Sequence, residues 1–280
     1  MNKLLCANFA RLKRSKCFWI CLAVMLVYSI IYCLSEYRNK IQYGYEASLD
    51  DVFCSPYIVV GILAAVFCSL FIGTEYSDGT IRNKLVVGHN RSTIYLANFV
   101  VCAVAGLLMD LAYLAATCAL GIPLLGFFQT GLPIILILLL DGLLLTVAFA
   151  AVFSLIAMLN QNKALVATIS TVAAFAAIFL FASLYSRMNE PEFLEPYSIT
   201  IHSAGQTVVQ PGESIPNPNY LNASQRVWFQ FFLDFLPTGQ AGQISGRDVP
   251  HPGLMPLYSV IIAFATNAAG VMFFLRKDLK

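Results

Sequence analysis

The sequence predicts an all-α fold, a polytopic helical membrane protein with six transmembrane helices, and three observations carry that prediction. Of the 280 residues, 59% are hydrophobic and only 11% are charged, where soluble domains carry about 25% charged residues. Several apolar runs exceed the roughly 18 residues that cross about 30 Å of hydrocarbon as a helix. The ten-residue alternating segments of a β-barrel are absent.

The expected spans lie at about 17–35, 56–74, 94–121, 131–158, 163–185 and 254–275. The third and fourth are longer than a bilayer requires and are expected to tilt or to extend past the headgroups. Placement of Lys and Arg sets the orientation. With the N-terminus inside, the inner segments hold Lys3, Arg11, Lys13, Arg14, Lys16, Arg82, Lys84, Arg91, Lys163, Arg276, Lys277 and Lys280. The outer segments hold only Arg38, Lys40, Arg187, Arg226 and Arg247. Both termini are therefore expected in the cytoplasm. The net charge of +2 says little beside this sidedness.

All eight cysteines fall in the first 118 residues, most of them inside predicted spans as small apolar side chains. They are no disulfide framework; only Cys33 and Cys54 could meet near the outer surface. The N-terminal apolar run is too long for a signal h-region, and no small-x-small cleavage site follows it, so an uncleaved first span is expected.

Along residues 1–16, Met1, Leu5, Phe9 and Leu12 share one helical stripe opposite Lys3, Arg11 and Arg14. That pattern predicts an amphipathic elbow helix lying in the inner interface. The first outer loop, about 36–55, is acidic and aromatic, with Glu36, Tyr37, Tyr43, Tyr45, Glu46, Asp50 and Asp51. Its tyrosines suit an interfacial belt. The minimal inner turn at Asn160-Gln161-Asn162-Lys163 predicts that the fourth and fifth spans pack as an antiparallel hairpin.

Residues 186–253 form the one long outer segment. Its first half carries Pro191, Pro196, Pro211, Pro216 and Pro218 with short extended runs such as Tyr197–Ile201, which predicts irregular structure and a small hairpin. Then comes an apolar run containing Trp228 and Phe232 that stops at Pro237, followed by Gly239 in a stretch able to turn back outward. The run is too short to span. It suits either a re-entrant helix over about 227–244 or an aromatic helix floating at the outer interface.

Between the second and third spans lies Gly73-Thr74-Glu75-Tyr76, then Gly79-Thr80-Ile81-Arg82-Asn83-Lys84-Leu85, with Gly88 and Arg91 beyond. Ser77 or Asp78 is placed to cap a short helix over 76–88, and Gly88 to end it. Ile81 and Leu85, at i and i+4, share a face. A helix pinned at a membrane surface by two spans is suited to passing force between a soluble motor and a transmembrane path.

No Gly-Lys dipeptide occurs, so the chain has no phosphate-binding loop of the G-x-x-x-x-G-K-[ST] type. Metalloprotease, serine-nucleophile and Cys/His catalytic patterns are absent, as are Cys or His pairs with zinc spacing and any nucleic-acid signature. No catalytic or metal-binding residues are expected.

Two carboxylates do sit within spans, Asp110 in the third and Asp141 in the fourth, each about ten residues from the outer end and so roughly 15 Å deep. Such groups are functional candidates. They could move protons or cations. They could form an aspartyl protease dyad, although Asp141 follows Leu138-Leu139-Leu140 and not Gly-x-Gly. Or they could be protonated, hydrogen-bonded structural groups, since like charges at close range resist joint ionisation.

The 73–91 stretch and Phe235-Leu236-Pro237-Thr238-Gly239-Gln240-Ala241 resemble the type-2 ABC exporter permeases. The resemblance is to the subgroup linked to bacitracin and lantibiotic resistance in Gram-positive bacteria, and it covers the whole chain. It implies a single permease domain in the bacterial plasma membrane. It further implies pairing with a second copy or a homologous permease, and binding of a separate cytoplasmic ABC ATPase that holds the ATP and Mg. This chain itself would bind no cofactor. Carried over by residue, Glu75, Tyr76, Thr80, Ile81, Arg82 and Leu85 would form the ATPase-coupling contact, and Trp228, Phe232, Pro237 and Gly239 an outer re-entrant cap. The alternatives are a proton-coupled secondary transporter using Asp110 and Asp141, or a scaffold or sensor partner. Inverted-repeat symmetry is not visible, which counts against the former.

The topology has a direct check. In a chain without native cysteines, Glu46→Cys and Gln206→Cys are expected to react with an impermeant thiol reagent from outside intact cells. Asn83→Cys and Lys163→Cys should react only after permeabilisation. Labelling at 83 in intact cells overturns the orientation.

Overall fold

The computed structural model describes residues 2–44, 46–194, 198–203, 206–211 and 214–277, with backbone pairing alone given for 198–203 and 206–211. Met1 of the N-terminal stripe, Tyr45 of the first outer loop, Pro196 and Tyr197 of the long outer segment, and Lys280 lie outside the described residues.

Helix α1 (Asn2–Arg14) buries Leu4, Asn8 and Leu12 and ends one residue before α2 (Lys16–Tyr43). Ser15 makes the break: its backbone is extended and its Oγ accepts the Phe18 N–H at 3.3 Å. Helix α2 runs past the expected end of the first span and absorbs much of the expected outer loop. The remainder of that loop forms α3 (Leu49–Cys54), and α4 follows (Tyr57–Ser77). Asp50 and Asp51 explain why this loop is ordered. Asp50 is fully buried and accepts the Gln129 and Thr130 N–H groups at 2.8 and 3.2 Å, which ties α3 to the next outer turn. Asp51 accepts from the Ser48 hydroxyl at 2.7 Å and pairs with Arg247 at 2.6 Å.

The short α5 (Thr80–Val86) leads to α6 (Arg91–Leu125), α7 (Leu132–Leu159) and α8 (Lys163–Met188). Outside the membrane, β1 (Phe193–Leu194) pairs antiparallel with β4 (Ile215–Pro216), and β2 (Ser198–Ser203) with β3 (Gln206–Pro211), Ser203 opposite Gln206. The expected small hairpin is therefore a nested ribbon. Then come α9 (Ala223–Phe235), α10 (Pro237–Gly246) and α11 (Met255–Arg276). The helices long and apolar enough to cross a membrane are α2, the α3–α4 stretch, α6, α7, α8 and α11, six among the described residues.

Helices α4, α6 and α7 form the centre, with α2 against α6, α8 against α4 and α11 against α7. The expected α7–α8 hairpin does not form as a packed pair: the tight turn is present, but α8 lies mainly along α4. Helix α4 also approaches α7 closely. It is closest where the Tyr57 ring lies against the bare Cα of Gly142, so that a Cβ there would stand 1.9 Å from Cζ. A similar contact sets Tyr95 of α6 on Gly270 of α11. Small residues at helix crossings let backbones approach in this way. The Cys33 and Cys54 thiols are buried and free.

Gly142→Ala is expected to overpack the α4–α7 crossing at a cost of about 1–3 kcal/mol. A lower thermal midpoint in detergent would report it. Gly246→Ala, which meets nothing within 4 Å, should leave the midpoint unchanged.

Candidate coupling site

The loop between α4 and α6 is shaped by two glycines. Helix α4 continues through Tyr76 and Ser77, so α5 is shorter than the expected 76–88 helix. Neither Ser77 nor Asp78 caps it. Gly79, at φ 66°, occupies the N-cap, and the Ser77 hydroxyl instead donates to the Gly73 carbonyl at 3.1 Å. At the other end Gly88 adopts φ 91°. Its N–H donates to Leu85 O at 2.9 Å, and the His89 N–H donates to Lys84 O at 3.1 Å. This is the double bond pattern of a Schellman stop, which favours glycine.

Beneath α5 lies a buried polar cluster. The Glu75 carboxylate is 1% exposed. One of its oxygens accepts from Lys84 Nζ and from Arg11 Nη1, the latter at 2.5 Å. Its other oxygen accepts from Asn98 Nδ2 at 2.7 Å. Asn98 Oδ1 accepts from Asn8 Nδ2 at 2.8 Å, and Asn8 Oδ1 from Lys84 Nζ at 3.0 Å, which closes the ring. Four elements meet here, α1, α4, α5 and α6. Arg11 also lies over the Phe71 ring at 3.8 Å. Burial pushes the Arg11 and Lys84 pKa values down, and the Glu75 charge opposes the shift in both.

Tyr76 belongs to a second set of contacts. Its hydroxyl donates to Met158 O at 2.6 Å, and Lys277 Nζ donates to that carbonyl at 2.9 Å and to Tyr76 Oη at 3.0 Å. Burial pushes Lys277 down to about 8. Arg91 donates to the Phe274, Leu275 and Lys277 carbonyls, which caps the C-terminal end of α11. The last span is thus fastened to the ends of α4, α6 and α7.

The expected contact residues divide by exposure. Thr80 is half-buried and Arg82 exposed. Ile81 is 1% exposed and packs into the chain's own core. Leu85 is half-buried against the same core. The i, i+4 apolar pair therefore anchors α5 inward. The outward apolar residues are Val86 and Val87, 81% and 77% exposed, beside exposed Arg82 and Asn83. A notch of about 270 Å³, lined by Tyr76, Gly79, Ile81, Arg82 and Gln161 among others, lies beside α5. Sequence reasoning passed over Val86, Val87 and the whole Arg11–Asn8–Asn98 set. The available signal was Asn98, an amide within an apolar span, and Asn8 on the elbow's buried face.

The other expected groups are not brought to this site. Asp110 and Asp141 are fully buried on α6 and α7. Asp110 Oδ2 accepts from Thr146 Oγ1 at 3.3 Å, whereas Asp141 has no hydrogen-bond partner among the described residues. No hydrogen bond joins the two carboxylates there. On the outer side, Trp228 and Phe232 of α9 are 64% and 44% exposed. The chain bends at Leu236 and Pro237 begins α10, which is buried between α4, α7 and α8. A Cβ on Gly239 would meet Leu233 O at 2.2 Å, so the turn demands glycine. Thr238 Oγ1 donates to Ala177 O at 3.0 Å, and Ser259 Oγ to Gln240 Oε1 at 2.6 Å, which hold α10 to α8 and α11.

Removing one partner from a buried ion cluster typically costs about 3–5 kcal/mol, because the other charges stay buried. Glu75→Ala is expected to lose stability on that scale, and Lys84→Met in the same chain to restore part of it. Additive losses in a double-mutant cycle of thermal midpoints would contradict the coupling.

Residues 4–185 match the family described as ABC-2 family transporter protein. No curated protein matches the chain. The match takes in the elbow helix, the Glu75 cluster and α5, and reaches into α8. The chain belongs to the ABC-2 transporter family and is a membrane-spanning permease component of an ABC transporter.

Proposed function

We propose that the chain is the permease subunit of an ATP-driven exporter, of the subgroup linked to bacitracin and lantibiotic resistance in Gram-positive bacteria. It works as a pair of permeases, two copies or a copy and a homologue, with separate cytoplasmic ATPase subunits. Those subunits hold the ATP and Mg, and this chain catalyses nothing itself. Its substrate is peptide-like, drug-like or lipid-like, and α9–α10 form the outer re-entrant cap. The basic residues on the α1, α5 and α7–α8 side support cytoplasmic termini in a bacterial plasma membrane. Exposed apolar residues on α8 and α11, such as Val172, Phe179 and Phe264, offer faces for lipid or a second permease.

The observation that carries the reading is the mounting of α5. It is too short to be stable alone, yet Ile81, Lys84 and Leu85 fix it to three other elements, α1, α4 and α6, while Arg82, Asn83, Val86 and Val87 face out. A push on that outer face cannot be absorbed by the loop and passes through Glu75 to α4 and α6, and through Arg11 to the elbow. ATP-driven closure of the motor would thereby tilt the spans and expose a path alternately to each side.

Val86→Asp/Val87→Asp places two charges in an apolar contact worth about 2 kcal/mol or more per anchor. The loss in ATPase affinity should be about 30-fold for each anchor and on the order of 1,000-fold for the pair, read as co-purification of the ATPase, with the permease still inserted. Unchanged co-purification and unchanged ATP hydrolysis by the complex would sink the assignment of α5 as the contact.

One observation favours a second reading: Asp141 is a buried carboxylate with no hydrogen-bond partner among the described residues, which suits a proton carrier. Asp110→Asn/Asp141→Asn separates the two. Efflux is measured in vesicles holding permease and ATPase, with ATP and the proton gradient varied independently. The exporter reading expects most ATP-driven efflux to survive the double substitution. Gradient-driven efflux without ATP, abolished by the Asn pair, would establish the secondary transporter instead.

A further inference from the structure

A cavity of about 310 Å³ lies where the elbow helix turns into the first span. Four cationic side chains line it: Arg11 and Arg14 from α1, Lys16 from the start of α2 and Lys163 from the start of α8. No carboxylate is among the lining residues. Arg14, Lys16 and Lys163 have no carboxylate partner among the described residues, and Glu75, the acid paired with Arg11, is shared with Lys84. The N-terminal ends of α2 and α8 add their own partial positive charge.

Arg11 is the built element of the site. Its Nη1 is held by Glu75 and its face by the Phe71 ring, which immobilises the guanidinium. Its Nε and Nη2 are buried without a hydrogen-bond partner among the described residues. Those two atoms are the neighbouring donors of one guanidinium edge, the fork that binds two oxygens of a single phosphate. Leaving both donors unpaired is costly, so an anion that reached this edge would be held there.

The rest of the wall tells which anion. Cys17, Leu70 and Phe71 make its apolar side. From Cys17 the same face of α2 continues through Ile20, Val24, Val27 and Ile31, spaced three and four residues apart and all exposed. A charged cup opening onto an apolar helical track, at the depth where the chain enters the bilayer, has the polarity of a glycerophospholipid. We propose that this cavity binds the phosphate of an anionic phospholipid, in the leaflet that holds α1, with an acyl chain along α2. Such a lipid would neutralise the excess charge around Arg11 and seat the elbow against α4. The proposal needs neither the export reading nor the orientation of the chain.

The test is native mass spectrometry of the full-length permease, purified in neutral detergent and offered equal phosphatidylglycerol and phosphatidylcholine. The wild type is expected to retain phosphatidylglycerol preferentially. Each basic residue near an anionic headgroup contributes a few-fold, so Arg14→Gln/Lys163→Gln should lower that retention at least about ten-fold. Phosphatidylcholine retention and the thermal midpoint without lipid should not move. Lys3→Gln/Lys13→Gln removes the same amount of charge, all of it from α1 and outside the cavity, and should have little effect. Equal retention of both lipids by the wild type, or equal loss in the two variant pairs, would overturn the site. Stabilisation by inorganic phosphate as large as that by phosphatidylglycerol would make the ligand a soluble phosphate and overturn the lipid assignment.

Discussion

A single carboxylate, Glu75, organises the end of this protein that carries α1 and α5. An ionised group at 1% exposure is tolerable only when charge partners and hydrogen bonds replace its water. Glu75 obtains them from three different elements: Arg11 of the elbow, Lys84 of α5 and Asn98 of α6. Any displacement of α5 or α1 relative to α4 must either carry the carboxylate along or strip it. The cluster therefore resists partial rearrangement and favours movement of this whole end as a block. On the proposed reading, such a mount would pass a force on a seven-residue helix to the spans.

The outer end is fastened differently. There the polar anchors are spread out: Asp50 on backbone amides of the α6–α7 turn, Asp51 with Arg247, and Asp234 with His251 at 2.9 Å and Gln230 at 2.7 Å. Between the two ends, glycine-to-aromatic contacts at Gly142 and Gly270 bring α7 to α4 and α11 to α6. The polar ends are tied mostly by directional bonds and the middle mostly by shape, with buried interhelical bonds at Thr146–Asp110 and Ser29–Thr117. An apolar cavity of about 250 Å³ under the Phe235–Thr238 bend, lined by residues of α4, α7, α8 and α11, leaves slack where α10 enters. That places compliance at the outer bend and stiffness at the α5 mount.

Sequence patterning was most informative where the solvent imposes it. Hydrophobic run length located the spans to within a few residues at most ends, because a helix in hydrocarbon must satisfy its own backbone. It failed at the first outer loop: α2 runs on to Tyr43 and α3 is a buried helix, since Asp50 and Asp51 have partners in segments far along the chain. At α5 it left the facing open. An i, i+4 apolar pair on a loop helix reads as a docking face, but nothing local says whether that face meets a partner or the chain's own core.

The sequence by itself determined the class of the protein, the existence of its six spans and of the loop helix, and the glycine stop at Gly88. Each follows from short-range physics: hydropathy over a bilayer's length, or a backbone conformation that only one residue type favours. Tertiary structure alone decided that Ile81 faces inward and Val86 outward, that α8 follows α4 and not α7, and that Asn8, Arg11, Lys84 and Asn98 converge on Glu75. Those partners come from separate segments brought together by packing. Their pairing is dictated by the cost of a buried charge, which has no meaning until the fold has buried it.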